Sequence, residues 1–183
     1  MDYYIDIRIK PDAEMRQNVL LNKVYTKLHK TLWELNSSDI GISFPEWKVL
    51  LGKVIRVHSS QARLEQLQAK NWLGGLSGYC HVSVTQAIPQ QVLYRRISRA
   101  RSNMSQSKLN RLIKRGSISP SETKAYRAKM FASGIDNPYL ELESSSNGHK
   151  HRRYVQFSEL LDKAKSGKFD SFGLSKEATI PWF

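Results

Sequence analysis

Tyr3-Tyr4-Ile5-Asp6-Ile7-Arg8-Ile9-Lys10 sets Ile5, Ile7 and Ile9 against Asp6, Arg8 and Lys10. Successive side chains of a strand point to opposite faces, so this run predicts a half-buried β-strand, which Pro11-Asp12 ends. From Glu14 to about Leu35 the period changes. Leu20, Val24, Leu28, Leu32 and Leu35 recur at four and three residues, the spacing of a helix with one buried face. Residues 40–44 and 54–57 are short strand patterns, residues 60–67 a second helix carrying Ala62, Leu64 and Leu67, and residues 79–85 another strand. Strand, helix, strand, strand, helix, strand is the ferredoxin-like order, which many RNA-binding modules share.

Ile88-Pro89-Gln90-Gln91 marks a boundary, after which the composition turns basic. Two domains are therefore expected, residues 1–93 and 94–183. In the second, Ser105 is placed to cap a helix from Gln106 to Arg115, with Gly116 as its stop. Leu109, Leu112 and Ile113 fall on one side of that helix and Lys108, Arg111, Lys114 and Arg115 on the other. Ser119-Pro120-Ser121-Glu122 has capping-box spacing with Pro at the first helical position, and opens a helix ending near Gly134. Residues 139–143 and 152–157 read as strands joined by Ser144-Ser145-Ser146-Asn147-Gly148, whose Asn-Gly is a hairpin signal. The expected class is α+β: an N-terminal ferredoxin-like (RRM-like) domain and a smaller C-terminal α/β domain built around an arginine-rich helix.

The chain has 183 residues and 29 Lys+Arg against 16 Asp+Glu, a formal charge of +13. The excess is uneven. Residues 1–93 hold 11 basic and 8 acidic residues, residues 94–183 hold 18 and 8, and Arg95 to Ser121 contains no acidic residue at all. Such a block neutralises phosphates and releases counterions, which makes nucleic acid the first partner to consider, ahead of a merely solvated cationic face. The block lacks the Trp/Phe/Leu stripe of an interfacial helix, so a membrane surface is a weaker partner. The single Cys80 excludes an internal disulfide and a Cys-rich zinc site. No run of about 18 apolar residues occurs and the acidic start is unlike a signal peptide, so a cytoplasmic location is expected. P-loop, nucleophile-elbow and H-E-x-x-H motifs are missing, which argues against NTPase, α/β-hydrolase and zincin chemistry.

Among residues able to carry chemistry, His29 sits on the first helix between Tyr25 and Trp33, on the shoulder of the apolar stripe. Imidazole is the natural base near neutral pH, and a half-buried structural histidine is the competing reading. The serine turn offers hydroxyls and N–H groups to a ribose or phosphate, or is simply solvated. His149 and His151 have no third ligand in view, so no metal is expected. Cys80 and the four tryptophans, Trp33, Trp47, Trp72 and Trp182, are expected in the core.

Several segments together resemble a known family. They are the start Met1-Asp2-Tyr3-Tyr4-Ile5-Asp6-Ile7-Arg8, Lys27-Leu28-His29, Ile40-Gly41-Ile42-Ser43-Phe44-Pro45, Tyr94-Arg95-Arg96-Ile97-Ser98-Arg99, the arginine-rich helix, Phe172-Gly173-Leu174-Ser175-Lys176 and Pro181-Trp182-Phe183. In this order and at these separations they look like the subtype I-F CRISPR repeat-processing endoribonuclease, over nearly the whole chain. The resemblance implies a protein that binds the repeat hairpin of a CRISPR transcript and cuts at the 3′ base of the stem without metal or cofactor. The 2′-OH attacks in line, leaving a 5′-OH and a cyclic phosphate, and the protein stays on the mature crRNA beside other subunits of a type I-F complex.

Residue by residue, the family's catalytic His falls on His29, and the Ser that positions the 2′-OH falls on Ser144. Further active-site hydroxyls fall on Ser146 and, where this chain departs from Thr, on Asn147. Arg99 matches a guanine-reading Arg; Arg111, Lys114 and Arg115 match the groove helix, to which Lys108 adds a fourth cation. Arg101 stands where the family has a base-reading Gln, which shifts the expected preference from adenine towards guanine. Arg152 falls where an aromatic stacks under the terminal base pair, a role a guanidinium can also take. Phe172 replaces a Tyr near the active-site His. A non-catalytic RNA-hairpin-binding module with the same cationic face is the alternative.

Overall fold

The structure, a computed structural model, describes residues 1–100, 106–132, 137–143, 148 and 150–183. Strand β1 (Tyr3–Ile9) places Ile5, Ile7 and Ile9 in the core, as the alternation requires. It is followed by α1 (Gln17–Glu34), β2 (Gly41–Ser43), β3 (Val54–Ser59), α2 (Gln61–Ala69), a 3₁₀ turn (Gly74–Tyr79), β4 (Cys80–Val82) and β5 (Gln86–Ala87). All pairings are antiparallel, and the order is β2-β3-β1-β4, with β5 also on β1. Register sets Ile5 opposite Val57 and Ile7 opposite Ile55, so the apolar faces of β1 and β3 coincide. Leu20, Val24, Leu28 and Leu32 of α1 are buried in the same core.

The helix α1 starts at Gln17, three residues later than the periodicity suggests. Asp12 Oδ1 accepts the N–H groups of Glu14 (3.0 Å) and Met15 (2.7 Å), an Asx-type turn that competes with helix over residues 12–15.

Next come β6 (Leu93–Arg95), β7 (Ile97–Arg99), α3 (Gln106–Lys114), α4 (Pro120–Ala132), β8 (Tyr139–Glu143), β9 (Lys150–Phe157) and β10 (Ile180–Trp182). β9 lies between β7 and β8, and β10 pairs with β6. The architecture is mixed α/β with antiparallel sheets. Both helix-end signals of the basic segment are present. Gly116 has φ +64°, and Gly116 and Ser117 donate to the carbonyls of Ile113 and Leu112, a Schellman closure of α3. Ser119 N–H donates to Glu122 Oε2 (2.8 Å), and Ser119 Oγ accepts the Glu122 N–H, which closes the capping box of α4. Ser105 and Gly134 lie outside the described residues.

Two compact units result, and their limits differ from the compositional boundary at 93/94. One contains Met1–Arg99 with Pro138–Phe183, the other Ala100–Asn137. Strand pairing is the reason: β6 binds β10, β7 binds β9, and Ile42 N–H donates to Gly173 O (2.9 Å), so residues 138–183 fold back onto the first 99. Composition marks charge, whereas compactness follows long-range pairing.

Candidate active site and nucleic-acid interface

A turn near the chain's end builds the surroundings of His29. Asp170 Oδ1 accepts the N–H groups of Phe172 (2.9 Å) and Leu174 (3.0 Å), and Gly173 N–H closes back on Asp170 O (2.8 Å). Gly173 has φ +67°, and a Cβ there would stand 2.5 Å from Ile42 Cγ1, so this position requires glycine. The turn presents three groups to α1. Ser171 O lies 2.8 Å from His29 Nδ1, the Phe172 ring stacks on the imidazole (centroids 3.5 Å apart, planes at 11°), and Phe172 O accepts the Tyr25 hydroxyl at 2.7 Å.

A carbonyl only accepts, so Nδ1 of neutral His29 carries the proton and the lone pair is on Nε2. Partial burial, first, and the Arg153 and Lys30 charges hold the imidazole below its ordinary pKa, against the Ser171 carbonyl and Asp170, which raise it. His29 is thus a half-buried imidazole in its neutral form at pH 7, with a lone pair on the nitrogen away from the Ser171 bond. Tyr25, fully buried, is pushed up by its burial and then by Asp170, so its hydroxyl stays a donor.

Sequence reasoning did not single out Arg153. It is 7% exposed, and its Cζ lies 3.4 Å from the Phe172 ring centroid. The alternation of β9 carries the signal: Arg153 and Val155 are buried, whereas Arg152 is exposed. Arg152 lies 4.5 Å over the Tyr139 ring and 3.8 Å from Glu141 Oε2.

Arg99 is the exposed last residue of β7, with Val155 as its Cα partner. Lys108, Arg111 and Lys114 on α3, and Arg115 just beyond it, are exposed, while Leu109 is buried. The cationic face is exposed as the sequence divides it, whereas of the apolar face only Leu109 is buried, Leu112 being partly buried and Ile113 45% exposed. Arg101, Ser144, Ser146 and Asn147 lie outside the described residues. Glu143, the last residue of β8, lines a cleft of about 400 Å³ with Thr26 and Lys27 of α1. The backbone of β8 is tied to α1 where Glu141 N–H donates to Asn22 Oδ1 (3.1 Å).

Three of the tryptophans depart from the expected core. Trp33 is 71% exposed, because α1 buries its 20-24-28-32 stripe and Trp33 follows it off that face. Trp47 and Trp182 are only partly buried, and both rings face the Arg95 guanidinium, at 5.5 and 4.6 Å. Trp72 and Cys80 are buried as expected, and burial pushes the Cys80 thiol up. Among the described residues no cluster of three or more His, Cys, Asp or Glu suits a metal, and no helix is long and apolar enough to cross a membrane.

Residues 4–183 match the family described as CRISPR-associated protein (Cas_Csy4). The chain belongs to this family. A relative named CRISPR-associated endonuclease Cas6/Csy4 from Escherichia coli (strain UTI89 / UPEC) is 34% identical over 184 residues, covering the whole of both chains. Another of that name from Pseudomonas aeruginosa (strain UCBPP-PA14) is 33% identical over 187 residues, again in full. A solved structure of Thermus thermophilus Cse3, bound to an RNA representing a pre-cleavage complex, covers 99% of this Cas_Csy4-family chain at 11% identity and a TM-score of 0.35.

Proposed function

We propose that this chain is an endoribonuclease that binds the hairpin of each CRISPR repeat and cuts at the 3′ base of the stem, with His29 as general base. The observation that carries the reading is the His29 tautomer. Ser171 O occupies Nδ1, so Nε2 offers a lone pair to the 2′-OH, and the lowered pKa keeps that lone pair available near neutral pH. The 2′-OH then attacks the adjacent phosphorus in line and the 5′-oxygen leaves, giving a cyclic phosphate and a 5′-OH with no metal or cofactor. Family membership and the names of the two full-length relatives support the nuclease over a binding module.

Ser144 orients the ribose, and Ser146 and Asn147 supply further polar groups to the reaction. Support comes from β8, whose end shares a cleft with Thr26, one turn before His29. Lys108, Arg111, Lys114 and Arg115 neutralise stem phosphates, Arg99 and Arg101 read base edges, and Arg152 stacks at the stem's end. In this division of labour residues 1–93 carry the base and residues 94–183 the RNA contacts. The order β2-β3-β1-β4, all antiparallel, supports a ferredoxin-like N-terminal layout. The protein stays with its crRNA product in the cytoplasm, beside other subunits of a type I-F complex.

The test is purified protein with a repeat hairpin in EDTA. Cutting at one phosphate is expected, lost in His29→Ala while hairpin affinity stays within a few-fold. Binding without cutting by the wild type would select the non-catalytic module, and cutting by His29→Ala would remove His29 as the base.

A further inference from the structure

We propose that Arg153 is a positioning residue for cleavage: through the Phe172 ring it holds the His29 imidazole flat and in its unprotonated form. The proposal rests on the reading of His29 as the base. Its ground is a three-layer stack. Arg153 Cζ lies 3.4 Å from the Phe172 centroid and the His29 ring centroid 3.5 Å from it, nearly parallel at 11°. Two groups this close to one ring centre cannot share a face without overlapping. Arg153 and His29 therefore sandwich Phe172.

The stack constrains His29 in two ways. Mechanically, Phe172 is gripped between two planar groups while its carbonyl holds Tyr25 Oη and the preceding carbonyl holds His29 Nδ1, so the imidazole plane and its rotation are both set. Electrostatically, an aromatic face attracts a cation, and one face of Phe172 already has one. An imidazolium on the other face would meet a like charge across a single ring thickness, whereas neutral imidazole meets none. Burial of Arg153 reduces solvent screening of that charge.

Among the described residues the other charged groups acting on His29 are Lys30 on its own helix, which also disfavours the proton, and Asp170 in the turn, which favours it. Arg153 thus sides with Lys30 and with burial against Asp170 and the Ser171 carbonyl. Phe172 has no hydroxyl to hydrogen-bond the imidazole, so here the ring acts by stacking and by carrying the influence of the charge behind it.

The experiment is an NMR titration of the His29 imidazole in the full chain, with the signal assigned by its loss in His29→Ala, alongside the pH profile of hairpin cleavage. Wild type is expected to titrate below 6.5. Arg153→Met, which keeps length and loses charge, is expected to raise the His29 pKa by about half a unit or more, slowing cleavage about threefold or more on the acid limb with little change on the plateau. Arg153→Lys, which restores a cation over the ring, is expected to return the pKa most of the way. A purely structural role would depress cleavage at every pH and leave the titration where it was. That result would overturn the proposal, and so would a wild-type pKa at or above 6.5, which needs no variant to fold. Cutting by His29→Ala with the Arg153-dependent shift intact would instead remove the base reading and leave the charge coupling standing.

Discussion

His58 on β3 is fully buried, its Nε2 2.9 Å from Ser43 Oγ, and its Nδ1 has no hydrogen-bond partner among the described residues. Burial, then the neighbouring Arg56 charge, pushes its pKa down to about 3. The unfolded chain titrates this imidazole near ~6.5, so between about 6.5 and 3 the unfolded state binds the extra proton. Stability is then full above 6.5 and falls with falling pH through that window, by up to about 1.4 kcal/mol per pH unit from this residue. Thermal melts from pH 7 to 5 should show it, a range above that in which Asp39 and Glu46, whose carboxyl pKa values are also lowered, come into play. His58→Gln should be less stable at pH 7 but lose less on acidification. Equal slopes for the two proteins would sink the assignment. His29 and His58 differ in the sequence only by helix or strand context. The half-exposed position of His29 follows from its place beside the Leu stripe, whereas the complete burial of His58 depends on which strands flank β3.

On α3 the apolar and cationic arcs are a local consequence of 3.6 residues per turn, so Lys108, Arg111, Lys114 and Arg115 are exposed as the sequence indicates. Its closure by Gly116 and the capping box at Ser119 were equally legible, because caps depend on residues within one turn. A row of exposed cations meets phosphates without regard to sequence. Arg111→Ala should therefore weaken all hairpins alike and flatten the salt dependence of binding by about 1 unit. Arg99, at the end of β7, is expected to read a base. Arg99→Ala should cost about 1–3 kcal/mol on the native stem and much less on a stem with swapped basal pairs. Titrations of both variants against both stems at several salt concentrations separate the roles, and the reverse pattern would interchange them. Less legible were β6, β7 and β10, short strands held by partners far along the chain, β6 by β10 and β7 by β9.

For the whole molecule, the decisive event is the return of residues 138–183 to the first 99. Gly173 is its tightest point, with φ +67° and Ile42 against the place a Cβ would take. Gly173→Ala should destabilise the fold by about 1–3 kcal/mol and, by displacing Ser171 and Phe172, lower cleavage more than hairpin binding. Denaturant unfolding and a single-turnover assay on the same sample check this, and unchanged cleavage would show that the turn does not govern His29. The sequence by itself determined the strands and helices with strong periodicity, the basic helix and the caps at Gly116 and Ser119, the family, and the place of His29 on the shoulder of the α1 stripe, because each is written in residues near one another in the chain or in ordered motifs. Only the tertiary structure decided that Ser171 fixes the His29 tautomer, that Arg153 rather than Arg152 turns inward behind Phe172, that Trp33 is exposed, and that the compact units do not divide at 93/94. The tautomer and the unit limits depend on long-range pairing, across 142 residues between His29 and Ser171, whereas Trp33 and Arg153 follow helix and strand periods whose buried face only the packed partners select.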